Sequence, residues 1–239
     1  MLLLLAPLAP LASAGLGYLL CYGGYEGPVD WAMHTATHGS RDRRAIALTF
    51  DDGPDPVRTP ALLDTLRELD APATFFLLGN RVEQLPELAA RFARAGHELG
   101  NHTFDHPYLP LARSRRVADE LARTDAAIRR ATGVVPQLAR PPYGGRSPAN
   151  VRAFDRLGKR LVLWDVNSFD WKGAPAADIA RRVLARVRPG SIILMHEARE
   201  HGEVTIEAVR LLVPELRARG YELATTSSLV QPASRRLAA

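Results

Sequence analysis

From Ala45 onward the chain alternates short apolar runs with amphipathic stretches, strand then helix, about seven times. That rhythm restricts the fold more than any other feature. Strands are predicted at 45–50, 73–78, 97–100, 135–139, 160–164, 191–196 and 222–225, with helical periodicity at 60–68, 85–95, 114–131, 149–157, 177–187 and 204–219. Strands separated by whole helices pair in parallel, because a parallel neighbour needs a long crossover connection. An α/β fold with a parallel sheet of about seven strands, open or closed into a barrel, is therefore expected.

Ahead of this pattern, residues 1–22 contain no charged side chain, and about 20 apolar residues suffice to cross a bilayer. Ala12-Ser13-Ala14 also fits a signal-peptide cleavage site. The apolar run continues through Leu20 with no basic residue before it, so a membrane anchor is expected and a cleaved signal peptide is the alternative. Either reading implies export: anchored in the inner membrane facing the periplasm or the extracellular side, or secreted if cleaved. Residues 23–43 read as a linker, 44–230 as the catalytic domain and 231–239 as a tail. Cys21 is the only cysteine, which excludes an intramolecular disulfide and a thiolate zinc cage. The 31 basic and 26 acidic residues leave a net charge of +5, spread without runs, so nothing points to nucleic acid. A monomer is expected.

In parallel α/β folds, chemistry gathers at the C-terminal ends of the strands. Asp51 and Asp52 follow the first predicted strand, His102 and His106 the third, Arg140 and Tyr143 the fourth, Asp165 and Asp170 the fifth, and His196 ends the sixth. Adjacent carboxylates such as Asp51-Asp52 repel unless a cation or a proton relieves them. His102 and His106 stand at i and i+4, a spacing that on one helical turn presents both imidazoles to a metal. Two histidines and an aspartate would leave a coordination position open, as a catalytic metal requires.

The ordered segments TFDDGP (49–54), NHTFDH (101–106), ARPPYG (139–144), WDVNSFDW (164–171) and ILMH (193–196) resemble the five motifs of the polysaccharide deacetylases, the NodB-like carbohydrate esterases. ATFFLLGN (73–80) resembles that family's second strand. The resemblance implies an irregular (β/α) barrel of about seven parallel strands. It also implies a divalent metal, zinc most often with cobalt or nickel able to serve, held by Asp52, His102 and His106. By the same resemblance Asp51 is the base, Arg140 keeps it ionised, and the Tyr143 backbone N–H stabilises the oxyanion. His196 is the acid, Asp170 keeps it charged, and Trp171 and Leu194 wall the acetyl pocket, with Tyr143 beside the substrate. Asn167 departs from the pattern, since many members carry an aspartate there. His34, His38, His97 and His201 match no motif and read as structural or exposed.

The expected activity is metal-dependent removal of N-acetyl groups from an N-acetylglucosamine-containing polysaccharide or oligosaccharide of the cell envelope, with an acetylated glycan as the partner. An O-acetyl esterase acting on another acetylated glycan and an inactive glycan-binding relative remain alternatives. A zinc peptidase is disfavoured, because no H-E-x-x-H helix exists.

Overall fold

A computed structural model describes residues 35–230 other than 199 and 201. The anchor or signal segment at 1–22, the tail at 231–239, and His34 and His201 lie outside the described residues. Among the described residues no helix is long and apolar enough to cross a membrane.

Seven strands, β1 (Ala45–Asp51), β2 (Thr74–Leu77), β3 (Glu98–Asn101), β4 (Leu138–Ala139), β5 (Arg160–Leu161), β6 (Val166–Asn167) and β7 (Ile192–His196), form one parallel path in the order β5-β4-β3-β2-β1-β7-β6. The path curls into a half-barrel with β5 and β6 at its two ends. β8 (Glu222–Leu223) lies off it, paired with the first residues of β1. The helices are α1 (Arg58–Glu68), α2 (Gly79–Gln84), α3 (Pro86–Arg94), α4 (Ser114–Thr132), α5 (Pro148–Arg156), α6 (Ala176–Leu184), α7 (Gly202–Ala218) and α8 (Thr226–Val230). The expected fold class is observed, with one exchange of strands. The predicted strand at 222–225 is the off-path β8, and the seventh place on the path goes to β6, whose two residues are too short to show a period. The predicted strand at 160–164 pairs only over Arg160–Leu161. α2 and α8 had no signal long enough to read.

β1 is buried along its whole length, and its two faces differ. Ile46, Leu48 and Phe50 pack into the large core beneath the helices, with Phe75, Leu77, Ile193 and Met195 from the flanking strands. Ala45 and Ala47 face the smaller core inside the barrel, with Phe76, Ile192, Leu194, Val162 and Trp164. Strand side chains alternate with period two, so β1 sends Ile46, Leu48 and Phe50 outward to the helices and its alanines inward. α4 ends as its sequence indicates, at Gly133 with φ 77°, a left-handed cap that costs a glycine nothing.

Residues 36–41, upstream of the boundary read at 44, pack on the sheet. Ala36 bridges Val162, His38 bridges Ser191, and Arg41 forms an ion pair with Asp165 at 3.0 Å. Asp165 also accepts from Ile192 N and Ser191 Oγ, at the start of β7 and four residues before His196. The reading that placed Asp165 on the catalytic rim is corrected: its carboxylate ties the N-terminal arm to β7.

Candidate active site

The alternation that sorts the core also aims the chemistry. Ala45, Ala47, Thr49 and Asp51 share the inner face of β1, and Ile192, Leu194 and His196 that of β7. The register of the two strands pairs Asp51 directly with His196.

Asp51 Oδ1 accepts a hydrogen bond from Arg140 Nη1 at 2.7 Å. That guanidinium is fully buried. Nη1 also donates to Thr49 Oγ1 (2.8 Å), Nη2 donates to Leu163 O (2.9 Å), and the group lies 4.0 Å over the Phe76 ring. Burial lowers its pKa, and the charge and hydrogen bond of Asp51 act against that; a guanidinium stays a cation nonetheless.

Across the site, His196 Nδ1 lies 2.9 Å from Asp170 Oδ1. Asp170 is held from three further sides: His196 N donates to Oδ2 at 2.7 Å, Thr205 Oγ1 to Oδ2 at 2.9 Å, and Ser168 Oγ to Oδ1 at 3.0 Å. For His196, burial pushes the pKa down, but the Asp170 hydrogen bond and charge, with Asp51 and Asp52 behind them, outweigh it and raise it above 6.5. For Asp170, burial pushes up and the His196 contacts win, leaving it below the usual carboxylate value. The pair therefore favours an imidazolium facing a carboxylate, with Nε2–H turned toward the cavity.

Asp52, His102 and His106 place one ligand atom each within 4.8 Å of one another. Asp52 Oδ1 is 3.5 Å from His102 Nε2 and 3.3 Å from His106 Nε2. His102 Nδ1 donates to Arg140 O at 2.7 Å, so Nε2 carries the lone pair; backbone-oriented imidazoles of this kind are the usual metal ligands. A carboxylate and two Nε2 atoms converging at this spacing suit a small divalent cation with positions left open.

The convergence does not come from a helical turn, as the i, i+4 spacing suggested. Residues 102–108 form a loop in which Thr103 (φ 70°) and His106 (φ 57°) are left-handed. Glu120, buried on α4, holds that loop, its Oε2 accepting from both Phe104 N and Asp105 N at 2.9 Å. Asn101 Oδ1 accepts from Thr103 N. Asp52 (φ 75°), Tyr143 (φ 60°) and Phe169 (φ 54°) are left-handed as well, so among the described residues five of the six such non-glycine residues border the site. Strained backbone collects where surrounding structure must override local preference to aim a side chain.

Asp51, His102, His106, Tyr143, Trp164, Asn167, Trp171, Leu194 and His196 line one cavity of about 310 Å³. Trp171 sits edge-on to His196 at 5.0 Å, and Tyr143 edge-on to His106 at 4.7 Å. Among the described residues no group accepts the Tyr143 N–H. Asn167 Oδ1 accepts from Phe169 N at 2.9 Å, fixing the turn that carries Asp170 and Trp171. Seven of the ten residues singled out in the motifs line this cavity, and the other three contact them from behind: Asp52 the two histidines, Arg140 Asp51 and Asp170 His196. His97 stays outside it, edge-on to Phe75, with burial lowering its pKa to about 4.

Comparison with known proteins decides the family. A polysaccharide deacetylase family model matches residues 26–162. A peptidoglycan-N-acetylglucosamine deacetylase of Bacillus cereus is 35% identical over 212 residues, 87% of this chain and 77% of that protein. The chain belongs to the polysaccharide deacetylase family. A chitooligosaccharide deacetylase of Bradyrhizobium sp. is 38% identical, covering 75% of this chain and 88% of its own. Among solved structures, this deacetylase is similar to a peptidoglycan N-acetylglucosamine deacetylase in complex with 4-naphthalen-1-yl-N-oxidanyl-benzamide, with a TM-score of 0.83 and 34% identity over 88% of this chain and 100% of that one.

Sequence reasoning missed Glu120, Thr205, Ser168 and Thr49, the residues that hold the motif side chains. Glu120 and Thr205 did leave a trace. Each is a polar residue in register with the apolar stripe of its helix: Val117, Leu121, Thr124 and Ile128 for the first, Ala208, Val209 and Leu212 for the second.

Proposed function

We propose that this deacetylase is a metal-dependent amide hydrolase that releases acetate from N-acetylglucosamine units of an envelope glycan. One observation carries the reading: a carboxylate anchored by a buried cation and a histidine hydrogen-bonded to a buried carboxylate face the same cavity, with a three-ligand cation site beside them.

Asp52, His102 and His106 would hold the cation, and when bound it supplies Lewis-acid polarisation of the acetyl carbonyl and acidifies a water. Asp51, held by the Arg140 hydrogen bond, accepts a proton from the water whose oxygen attacks the acetyl carbon. The Tyr143 N–H, which no group accepts among the described residues, donates to the developing oxyanion. His196 Nε2–H then gives its proton to the amide nitrogen as the C–N bond breaks, and Asp170 stabilises the imidazolium until that moment. Trp171 and Leu194 exclude water around the methyl group. The products are acetate and a free amine.

The names of the relatives support the amide substrate, and residues 1–22 support placement outside the cytoplasm, anchored or secreted. The test is acetate release from N-acetylglucosamine oligomers and from acetylated xylan after chelation and re-addition of zinc, cobalt or nickel, with Asp51→Asn in parallel. Metal-restored release from the amide, abolished in Asp51→Asn, is the expected result. Release from xylan alone moves the function to ester cleavage. Metal binding without acetate from either substrate leaves a glycan-binding relative, and failure to bind any of the three metals defeats the mechanism.

A further inference from the structure

Ring contacts flank the site on two sides, and on one of them they run past it. Trp171 contacts His196, His102 lies 5.1 Å from His106, His106 lies 4.7 Å from Tyr143, and Tyr143 lies 6.4 Å from Tyr108. Every ring up to Tyr143 lines the cavity; Tyr108 does not. Tyr143 is 57% exposed and Tyr108 46% exposed, and the two rings are inclined at 46°, side by side at the cavity mouth.

The support under Tyr108 is rigid. It stands between Pro107 and Pro110, and Leu109–Leu111 form one 3-10 turn. Leu109 beside it is fully buried against Phe154 and Leu161, and its carbonyl accepts from Asn150 Nδ2. Gly145 packs so closely on Pro110 that a Cβ there would sit 2.9 Å from its Cγ, locking the Tyr108 turn to the loop that carries Tyr143. A lone exposed aromatic is ordinary, but two rigid ones joined at a cavity mouth can bind with little ordering cost.

We propose that Tyr108 and Tyr143 form a second sugar platform, which takes the neighbouring ring of the same glycan chain just outside the cavity. The inference rests on the deacetylase reading above. A cavity near 310 Å³ is at the small end of ligand sites, which run roughly from 300 to 1,000 Å³; it has room for an acetylamino group and the ring that bears it. A polymer must then leave over the rim. The C–H faces of a pyranose pack on aromatic rings, and the side marked by Tyr108 offers two.

The experiment uses the full chain with metal restored and compares wild type, Tyr108→Ala and Tyr108→Phe. Three readouts are taken: acetate release from the N-acetylglucosamine hexamer, hydrolysis of 4-nitrophenyl acetate as a small control, and calorimetric binding of the hexamer to metal-free protein. Tyr108→Ala should raise KM and Kd for the hexamer about 5- to 10-fold, as loss of one aromatic contact predicts, with kcat and the small ester unchanged. Tyr108→Phe should match wild type. Equal losses on hexamer and ester, or no loss on either, overturn the platform. If wild type releases no acetate, the deacetylase reading fails while the titration still decides: Tyr108-dependent hexamer affinity keeps the platform, and absent or Tyr108-independent binding overturns it.

Discussion

Arg140 and Asp51 form a wholly buried ion pair, Nη1 to Oδ1 at 2.7 Å, inside a cage whose other acceptors are the Thr49 hydroxyl and the carbonyls of Val162 and Leu163. Breaking a buried pair from one side leaves an uncompensated charge, at a cost of about 3–5 kcal/mol. Arg140→Met should therefore lower unfolding stability in urea by that order and reduce kcat at least about tenfold, since the Asp51 carboxylate loses the charge-assisted hydrogen bond that holds it in place. Arg140→Lys should recover little of either, because one ammonium cannot span four acceptors in a plane. A lysine variant with wild-type stability and acetate release would contradict this account.

The His196–Asp170 pair sets a pH window. The histidine pKa is raised, so its contribution to stability is full below about 6.5 and is lost as pH rises through the folded value. The aspartate pKa is lowered, so its contribution is full above about 3.8 and is lost as pH falls through the folded value. Both hold between those limits. The proposed mechanism uses the His196 imidazolium as the acid, so the alkaline limb of activity should lie above pH 6.5. In Asp170→Asn that limb should move to lower pH and kcat at pH 8 should fall about 10²-fold or more; a pH profile of kcat checks both.

Glu120 does not line the cavity, yet its carboxylate receives two N–H groups of the loop between His102 and His106. Groups that orient metal ligands typically govern affinity by about 10–100-fold. Glu120→Ala should weaken zinc binding by that order in calorimetric titration. Glu120→Gln, which keeps an acceptor oxygen, should lose less. Unchanged zinc affinity in Glu120→Ala would refute the role.

Glu197 follows His196 and is fully buried. Thr59 Oγ1 donates to its Oε2 at 2.7 Å, and Oε1 lies against Gly53, where a Cβ would collide with it. Burial pushes its pKa up to about 8, with Asp55 and Asp52 adding to the rise and Thr59 and Arg81 opposing it. The folded state thus keeps a proton that the unfolded chain releases above about 4.5, and stability from this group declines as pH rises from 4.5 through 8. Metal-free wild type should lose Tm across pH 6 to 9 more steeply than Glu197→Gln, whose side chain has no proton to lose. Parallel Tm curves would remove Glu197 from the account.

Motif residues were legible because each is a residue type whose chemistry is known in isolation, placed at the end of a readable apolar run. Asp51 at the close of AIALTFD and His196 at the close of IILMH are such cases. Supporting residues were not, because their partners lie far along the chain: Thr205 is 35 residues from Asp170, and Thr49 is 91 residues from Arg140. β6 escaped because two residues show no period, and Asp165 was misplaced because its own neighbourhood says nothing of Arg41, 124 residues away.

Sequence alone determined the parallel α/β class, the strand faces and the inventory of groups that can bind a cation or move a proton, since those follow from local periodicity and side-chain chemistry. Tertiary structure decided the rest. It set the register that pairs Asp51 with His196, the loop by which His102 and His106 converge on Asp52, and the burial that holds Arg140, Asp170 and Glu197 in one charge state or another. The reason is physical: hydrogen-bond geometry and desolvation depend on which distant segments pack together, and a linear pattern records only what each segment carries to that meeting.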